Sequence, residues 1–244
     1  MGKKKKTISS FEDDSVSNSI NKKYGNIIQS GNDVLATLEN FETIGISPAL
    51  DIATGGGLRE GSCVVMTGDP KTGKTTTALY FAAKAQKKGK NVFYLNTEGR
   101  LTKENFRGIK GLDANKIKIV QATDAKPLVS AEDYLNSLET LIKNTPDLVA
   151  IVDSTSNMVP QDELDGDIRT GVRNALPRLL SMFFKRISGD VARNKCIVIF
   201  ITHNIANTGG SRWSPSKMAD CGNMLQYQAG TNMVITHLGK WEVP

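Results

Sequence analysis

Apolar positions in this chain fall in short runs separated by longer stretches with helical spacing. The runs at residues 63–66, 92–95, 117–120, 148–152, 196–201 and 233–236 are dense in valine, isoleucine and other β-prone side chains. Between them, helices are predicted over about residues 73–88, 131–144 and 171–189. Strands that are apolar on successive positions are covered on both faces, and strands that alternate with helices are joined by crossovers. The predicted class is therefore α/β, a mostly parallel central sheet flanked by helices.

Residues 1–35 break that pattern. They are rich in Ser, Asn, Lys and Asp, with few large apolar side chains, and such a segment cannot build a core of its own. They are expected to form a polar, basic arm, either disordered or a short helical arm that docks elsewhere, for instance on a neighbouring subunit. The folded unit then covers residues 36–244. The run Lys3-Lys4-Lys5-Lys6 is soon offset by Glu12, Asp13 and Asp14 and reads as a solvated tail.

Composition narrows the function classes. The 244 residues carry 31 Lys+Arg against 25 Asp+Glu, a net charge of +6, which permits nucleic-acid binding without requiring it. No apolar run approaches the roughly 20 residues needed to span a bilayer. Nor does an apolar segment follow the lysine run as in a secretory signal, so a cytoplasmic protein is expected. Cys63, Cys196 and Cys221 have unrelated spacings that suggest neither a disulfide framework nor a zinc site.

The chemistry concentrates after the first strand. Gly68-Asp69-Pro70-Lys71-Thr72-Gly73-Lys74-Thr75 fits the pattern G-x-x-x-x-G-K-[ST], placed between a predicted strand and a predicted helix, with Thr76 next in line. Glycines let such a loop turn its N–H groups toward phosphate oxygens, and the helix N-terminus reinforces them. Lys74 would reach the β- and γ-phosphates of ATP and the Thr75 hydroxyl would bind Mg²⁺. Asp153, ending the apolar run 148–152, is the expected acidic partner of that metal, since open α/β sheets bind ligands at the carboxyl ends of their strands. Glu98 follows the 92–95 run. It is a candidate general base for water, or else a solvated turn residue.

Taken together, these blocks resemble the ATPase core of RecA-type recombinases. The resemblance begins with Gly45 and Leu50-Asp51-Ile52-Ala53-Thr54-Gly55-Gly56-Gly57-Leu58 ahead of the phosphate loop. It continues through Val152-Asp153-Ser154, the stretch from Pro160 to Ile168, Arg178 and Lys185-Arg186, and spans roughly residues 42–239. The phage UvsX branch looks nearest, in the sensor region and in overall divergence. The resemblance implies an ATP-dependent filament on single-stranded DNA that pairs with double-stranded DNA and exchanges strands, in a ring or helical self-assembly, with loading and single-strand-binding proteins as possible partners. It places Glu98 at the family's catalytic glutamate. His203, with Asn204 second, falls at the γ-phosphate sensor, and Phe106 falls near the aromatic platform for adenine.

Two segments at the ligand edge are the implied DNA contacts. The first, residues 157–172, contains Arg169, with Arg173 just beyond. The second, residues 205–226, carries Arg212, Trp213 and Lys217 among glycines and serines. Arginine and lysine neutralise phosphates, and an aromatic ring can stack on bases. Arg178 and Lys185, seven apart on the following helix, match family positions that touch the DNA backbone.

The resemblance stops near residue 239, whereas family members continue with further strands and a C-terminal domain. The alternative reading is accordingly a shortened paralogue that binds ATP and DNA and modulates filaments without exchanging strands. A related hexameric helicase motor is disfavoured by the block from Pro160 to Ile168 and by the segment after His203.

Overall fold

Described in a computed structural model are residues 14–166, 175–207, 217–220, 222–237 and 239. Two units divide the chain at Phe41 and Glu42. The first holds helices α1 (Asp14–Tyr24) and α2 (Gly31–Glu39). Ser30 starts α2, its hydroxyl accepting the Asp33 N–H at 3.1 Å and donating to the Asp33 carboxylate at 2.6 Å. None of residues 15–41 is buried, and Val34, Leu35 and Leu38 stay exposed, so the described part of this unit has no core.

The second unit opens with β1 (Thr43–Ile44), α3 (Pro48–Thr54) and β2 (Leu58–Arg59), the two strands pairing antiparallel. Pro48 sits at the start of α3, where its missing N–H is harmless, and Gly55 ends it in the left-handed region at φ 72°. Gly57 cannot be replaced without rearrangement, because an added Cβ would lie 2.1 Å from the Ile44 carbonyl oxygen.

The main sheet is built from β3 (Ser62–Gly68), β4 (Asn91–Asn96), β5 (Ile117–Val120), β6 (Leu148–Asp153), β7 (Ile197–Ala206), β8 (Lys217–Ala219) and β9 (Thr231–Ile235). Its order is β5-β4-β6-β7-β3-β9, all parallel, with β8 antiparallel to the far end of β7. Helices α4 (Lys74–Lys87), α5 (Lys103–Arg107), α6 (Ala131–Asn144), α7 (Gln161–Asp165), α8 (Ala175–Arg193) and α9 (Asn223–Gln228), with two short 3-10 turns, Ala114–Lys116 and Thr155–Asn157, complete the described elements.

Side-chain alternation explains why the strands are apolar at every position. Val64, Met66, Val149, Ile151, Ile199 and Ile201 face α4 and form one core. Val65, Ala150, Val152, Val198 and Phe200 face the opposite way, onto α6, α8 and Leu225 of α9. Both faces of the central strands are dry, as continuous apolar runs require, while the outer strands β5 and β9 expose Lys118, Asn232 and Val234.

Most expected elements lie within a residue or two of their predicted bounds, but three regions differ. The helix predicted to end near residue 189 runs on to Arg193. Strand β7 continues five residues past the apolar run, to Ala206, because Asn204, Ile205 and Ala206 pair with Ala219, Met218 and Lys217. Residues 161–165, 217–219 and 223–228 are regular structure rather than loop. These short elements have no hydrophobic period long enough to show in a sequence; the ladder on β7 makes β8 what it is. Among the described residues, no helix is long and apolar enough to cross a membrane.

Candidate nucleotide-binding and catalytic site

The carboxyl rim of the sheet gathers the polar residues that end its strands. Strand β3 finishes at Gly68, whose register partner on β7 is His203, and the loop then turns back into α4. An added Cβ on Gly68 would lie 2.3 Å from the Ile235 carbonyl oxygen, and Lys71 and Gly73 take left-handed φ values of 64° and 97°. Thr72 holds the turn by donating to the Asp69 carbonyl at 2.9 Å. Pro70 and Thr76 are exposed on the outside of the loop and first helical turn.

This loop fits a phosphate group. Helix α4 begins at Gly73 with no side-chain cap and no acidic residue in its first turn, so its N-terminal N–H groups and positive dipole end are left for an anion. Lys74 is buried, 5% exposed, yet among the described residues its ammonium meets only neutral oxygens within hydrogen-bond reach, the carbonyls of Gly68 and Asp69, both at 2.8 Å. Burial pushes its pKa below the ordinary value, a pull that the charges of Asp153, Glu98 and Asp69 only partly oppose.

Asp153 closes β6 and receives two hydroxyl donors on one oxygen, Thr75 at 2.6 Å and Tyr94 at 2.5 Å. Burial raises its pKa against those two hydrogen bonds, so the ionised carboxylate is held at a cost that a cation would relieve. Thr75 and Asp153 are thus a hydroxyl and an under-compensated carboxylate side by side, an oxygen donor set suited to a hard cation such as Mg²⁺.

Glu98 lies just past β4 and is tied to β6, with its N–H donating to the Asp153 carbonyl at 3.2 Å. One carboxylate oxygen accepts from the Ser154 hydroxyl at 2.9 Å and contacts His203 Nε2 at 2.6 Å. Burial alone would raise its pKa, but the hydrogen bonds from His203 and Ser154 and the nearby positive charge carry it below the ordinary 4.5. Glu98 therefore stays a carboxylate through neutral pH.

His203 is fixed from the other side by its own N–H, which donates to the Ser156 hydroxyl at 3.1 Å, while its Nδ1 is buried with no partner among the described residues. Asn204, one residue on, donates instead to the Asp69 carboxylate at 3.2 Å. The other Asp69 oxygen takes the Lys217 ammonium at 2.6 Å, and these two donors hold the Asp69 carboxyl below its ordinary pKa.

The remaining candidates are dispersed. Phe106 is a half-buried residue of α5 packed onto the α4 core. Arg178 and Lys185 are exposed on α8; because α8 runs antiparallel to the strands, Arg178 sits near the carboxyl rim and Lys185 about 10 Å further from it. Arg169, Arg173, Arg212 and Trp213 lie outside the described residues. Tyr94, Ser154, Ser156 and the side chain of Asp69 were not singled out from sequence. A hydroxyl within the apolar run of β4, and two serines within three residues after Asp153, were the available signals.

A family model described as RecA N-terminal domain matches residues 13–241. Curated relatives include the proteins named Protein RecA of Brucella canis, Brucella suis and Brucella abortus, each 31% identical over 217 residues. The aligned part is 88% of this chain and 57% of each relative, so the chain spans little more than half the length of the proteins it matches. The matched residues include the phosphate loop, both acidic strand ends and the β7–β8 ladder, and on that extent the chain belongs to the RecA family.

Proposed function

We propose that this chain is the ATPase core of a recombinase that assembles as a filament on single-stranded DNA and exchanges strands with a duplex in homologous recombination and repair. The observation that carries the reading is the 2.6 Å contact between Glu98 and His203, which joins a candidate general base to the strand leading into the second candidate DNA segment. Lys74 and the uncapped start of α4 would hold the triphosphate, and Thr75 with Asp153 would hold Mg²⁺. When bound, the metal supplies positive charge that offsets the charge of the phosphates. Glu98, ionised at neutral pH, accepts a proton from water, and Ser154 and His203 fix the carboxylate in place. His203 and Asn204 then sense the nucleotide and shift β7, ordering the segment around Arg212, Trp213 and Lys217 on DNA, with Arg169, Arg173, Arg178 and Lys185 as backbone contacts. Phe106 is the proposed adenine platform.

The apolar residues left exposed in the first unit support a role for it in subunit contacts, and His203 supports a UvsX-like, phage-encoded member acting in a host cytoplasm. Loading and single-strand-binding proteins are the partners such a filament would use.

The test is ATP hydrolysis with and without single-stranded DNA, followed by strand exchange. DNA should stimulate hydrolysis. Lys74→Ala should weaken triphosphate binding roughly 10- to 100-fold, the loss of charge-assisted hydrogen bonds, and remove the effect of nucleotide on DNA affinity. Hydrolysis indifferent to DNA and to Lys74→Ala would sink this reading. Binding of both ATP and DNA without exchange would mark the shortened, filament-modulating paralogue instead.

A further inference from the structure

The second residue of the phosphate loop is a carboxylate, in a loop otherwise suited to anions. Asp69 is partly exposed, and both of its oxygens are engaged by the β7–β8 ladder, one by Asn204 at 3.2 Å and the other by Lys217 at 2.6 Å. Lys217 opens β8 opposite Ala206, so it sits where the described ladder meets the second candidate DNA segment. Its side chain is 57% exposed and that of Asp69 45%. An ion pair that open to water is weak, and another anion can readily displace it. Asp69 therefore occupies, on one of the cations assigned to DNA, the position a nucleic-acid phosphate would take.

We propose that Asp69 is an internal competitor of the polynucleotide for Lys217, a latch that ties the foot of the second DNA segment to the phosphate loop until DNA displaces it. The inference rests on the proposed function and names one pair of its residues. The backbone carbonyl of Asp69 serves Lys74, whereas its carboxylate, among the described residues, serves only the ladder, so the two duties can be separated by substitution.

Binding of fluorescent single-stranded oligonucleotide to the whole chain, titrated against salt without nucleotide, tests the latch. Asp69→Asn should raise affinity roughly two- to five-fold at low salt, since it frees one cation from an exposed pair. It should also steepen the log–log salt slope by about 0.7, one extra phosphate contact. Asp69→Asn combined with Lys217→Gln should bind like Lys217→Gln alone, because the gain acts through that lysine. An unchanged slope in Asp69→Asn, or a gain that survives Lys217→Gln, overturns the latch and leaves the functional reading standing. Absence of DNA binding by the unaltered chain, with or without ATP, overturns both.

Discussion

The two rims of the sheet treat a buried lysine in opposite ways. At the amino rim, Lys90 precedes β4 and meets two carboxylates, Glu60 before β3 and Asp147 at 2.7 Å before β6. Burial works against its charge, yet the hydrogen bonds to Asp147 and Glu60 outweigh it and hold the ammonium above its ordinary 10.5. At the carboxyl rim, Lys74 has, among the described residues, only backbone carbonyls at hydrogen-bond distance and is pushed down, and Asp153 is pushed up. One cluster satisfies its lysine with carboxylates and bolts three strands together. The other keeps charges that its own neighbours satisfy poorly, which leaves binding energy for a ligand. That division of labour is a stability–function trade within one sheet.

The sharpest way to break this comparison is to remove one charge from each rim. Glu98→Gln should lower DNA-stimulated ATP turnover by about 10²- to 10⁴-fold, the usual worth of a general base, while leaving the thermal midpoint nearly unchanged. Lys90→Ala should do the reverse. Stranding the buried Glu60 should destabilise the chain by about 3–5 kcal/mol in a denaturant titration, with nucleotide affinity retained under folding conditions. The pH dependence gives the same contrast a sign. Because the folded-state pKa of Lys90 is raised, its stabilisation is fully present below 10.5 and is lost as pH climbs through the folded value. Unfolding followed from pH 8 to pH 11 should show an alkaline loss that Lys90→Met lacks.

A smaller effect tests the carboxyl rim alone. Asp153 has a raised pKa, so its ionisation opposes folding at neutral pH, and Asp153→Asn should stabilise the metal-free chain by about 1–2 kcal/mol. The same change should abolish any rise in thermal midpoint on adding Mg²⁺. If instead it destabilises the chain and Mg²⁺ still acts, the carboxylate is a structural bolt like Glu60. Smallest is Tyr94→Phe, which removes one donor from Asp153 for about 1 kcal/mol of stability, and it should shift Mg²⁺ dependence more than turnover at saturating metal.

Much of the site was legible in the sequence because its parts are local. The loop from Gly68 to Thr75 is a contiguous pattern, and Asp153 and Glu98 each end an apolar run, which is where a parallel sheet presents its ligands. The contacts among them were not legible. Ser154 with Glu98, Tyr94 with Asp153 and Lys217 with Asp69 are separated by 56, 59 and 148 positions, and no period or spacing links such pairs. His203 and Asn204 show the limit most clearly. As neighbours on a strand their side chains point to opposite sides, so one reaches Glu98 and the other Asp69, a choice that only the register of β7 against β3 makes.

By itself, then, the amino-acid order determined the α/β class, the candidate phosphate loop and which acids stand at the strand ends, because apolar runs and short motifs encode local geometry and burial. Only the tertiary structure decided which acid is paired, which lysine is satisfied and which cation is already engaged. Those outcomes depend on strand order and register, and the charge on each group is set by neighbours brought from distant parts of the chain.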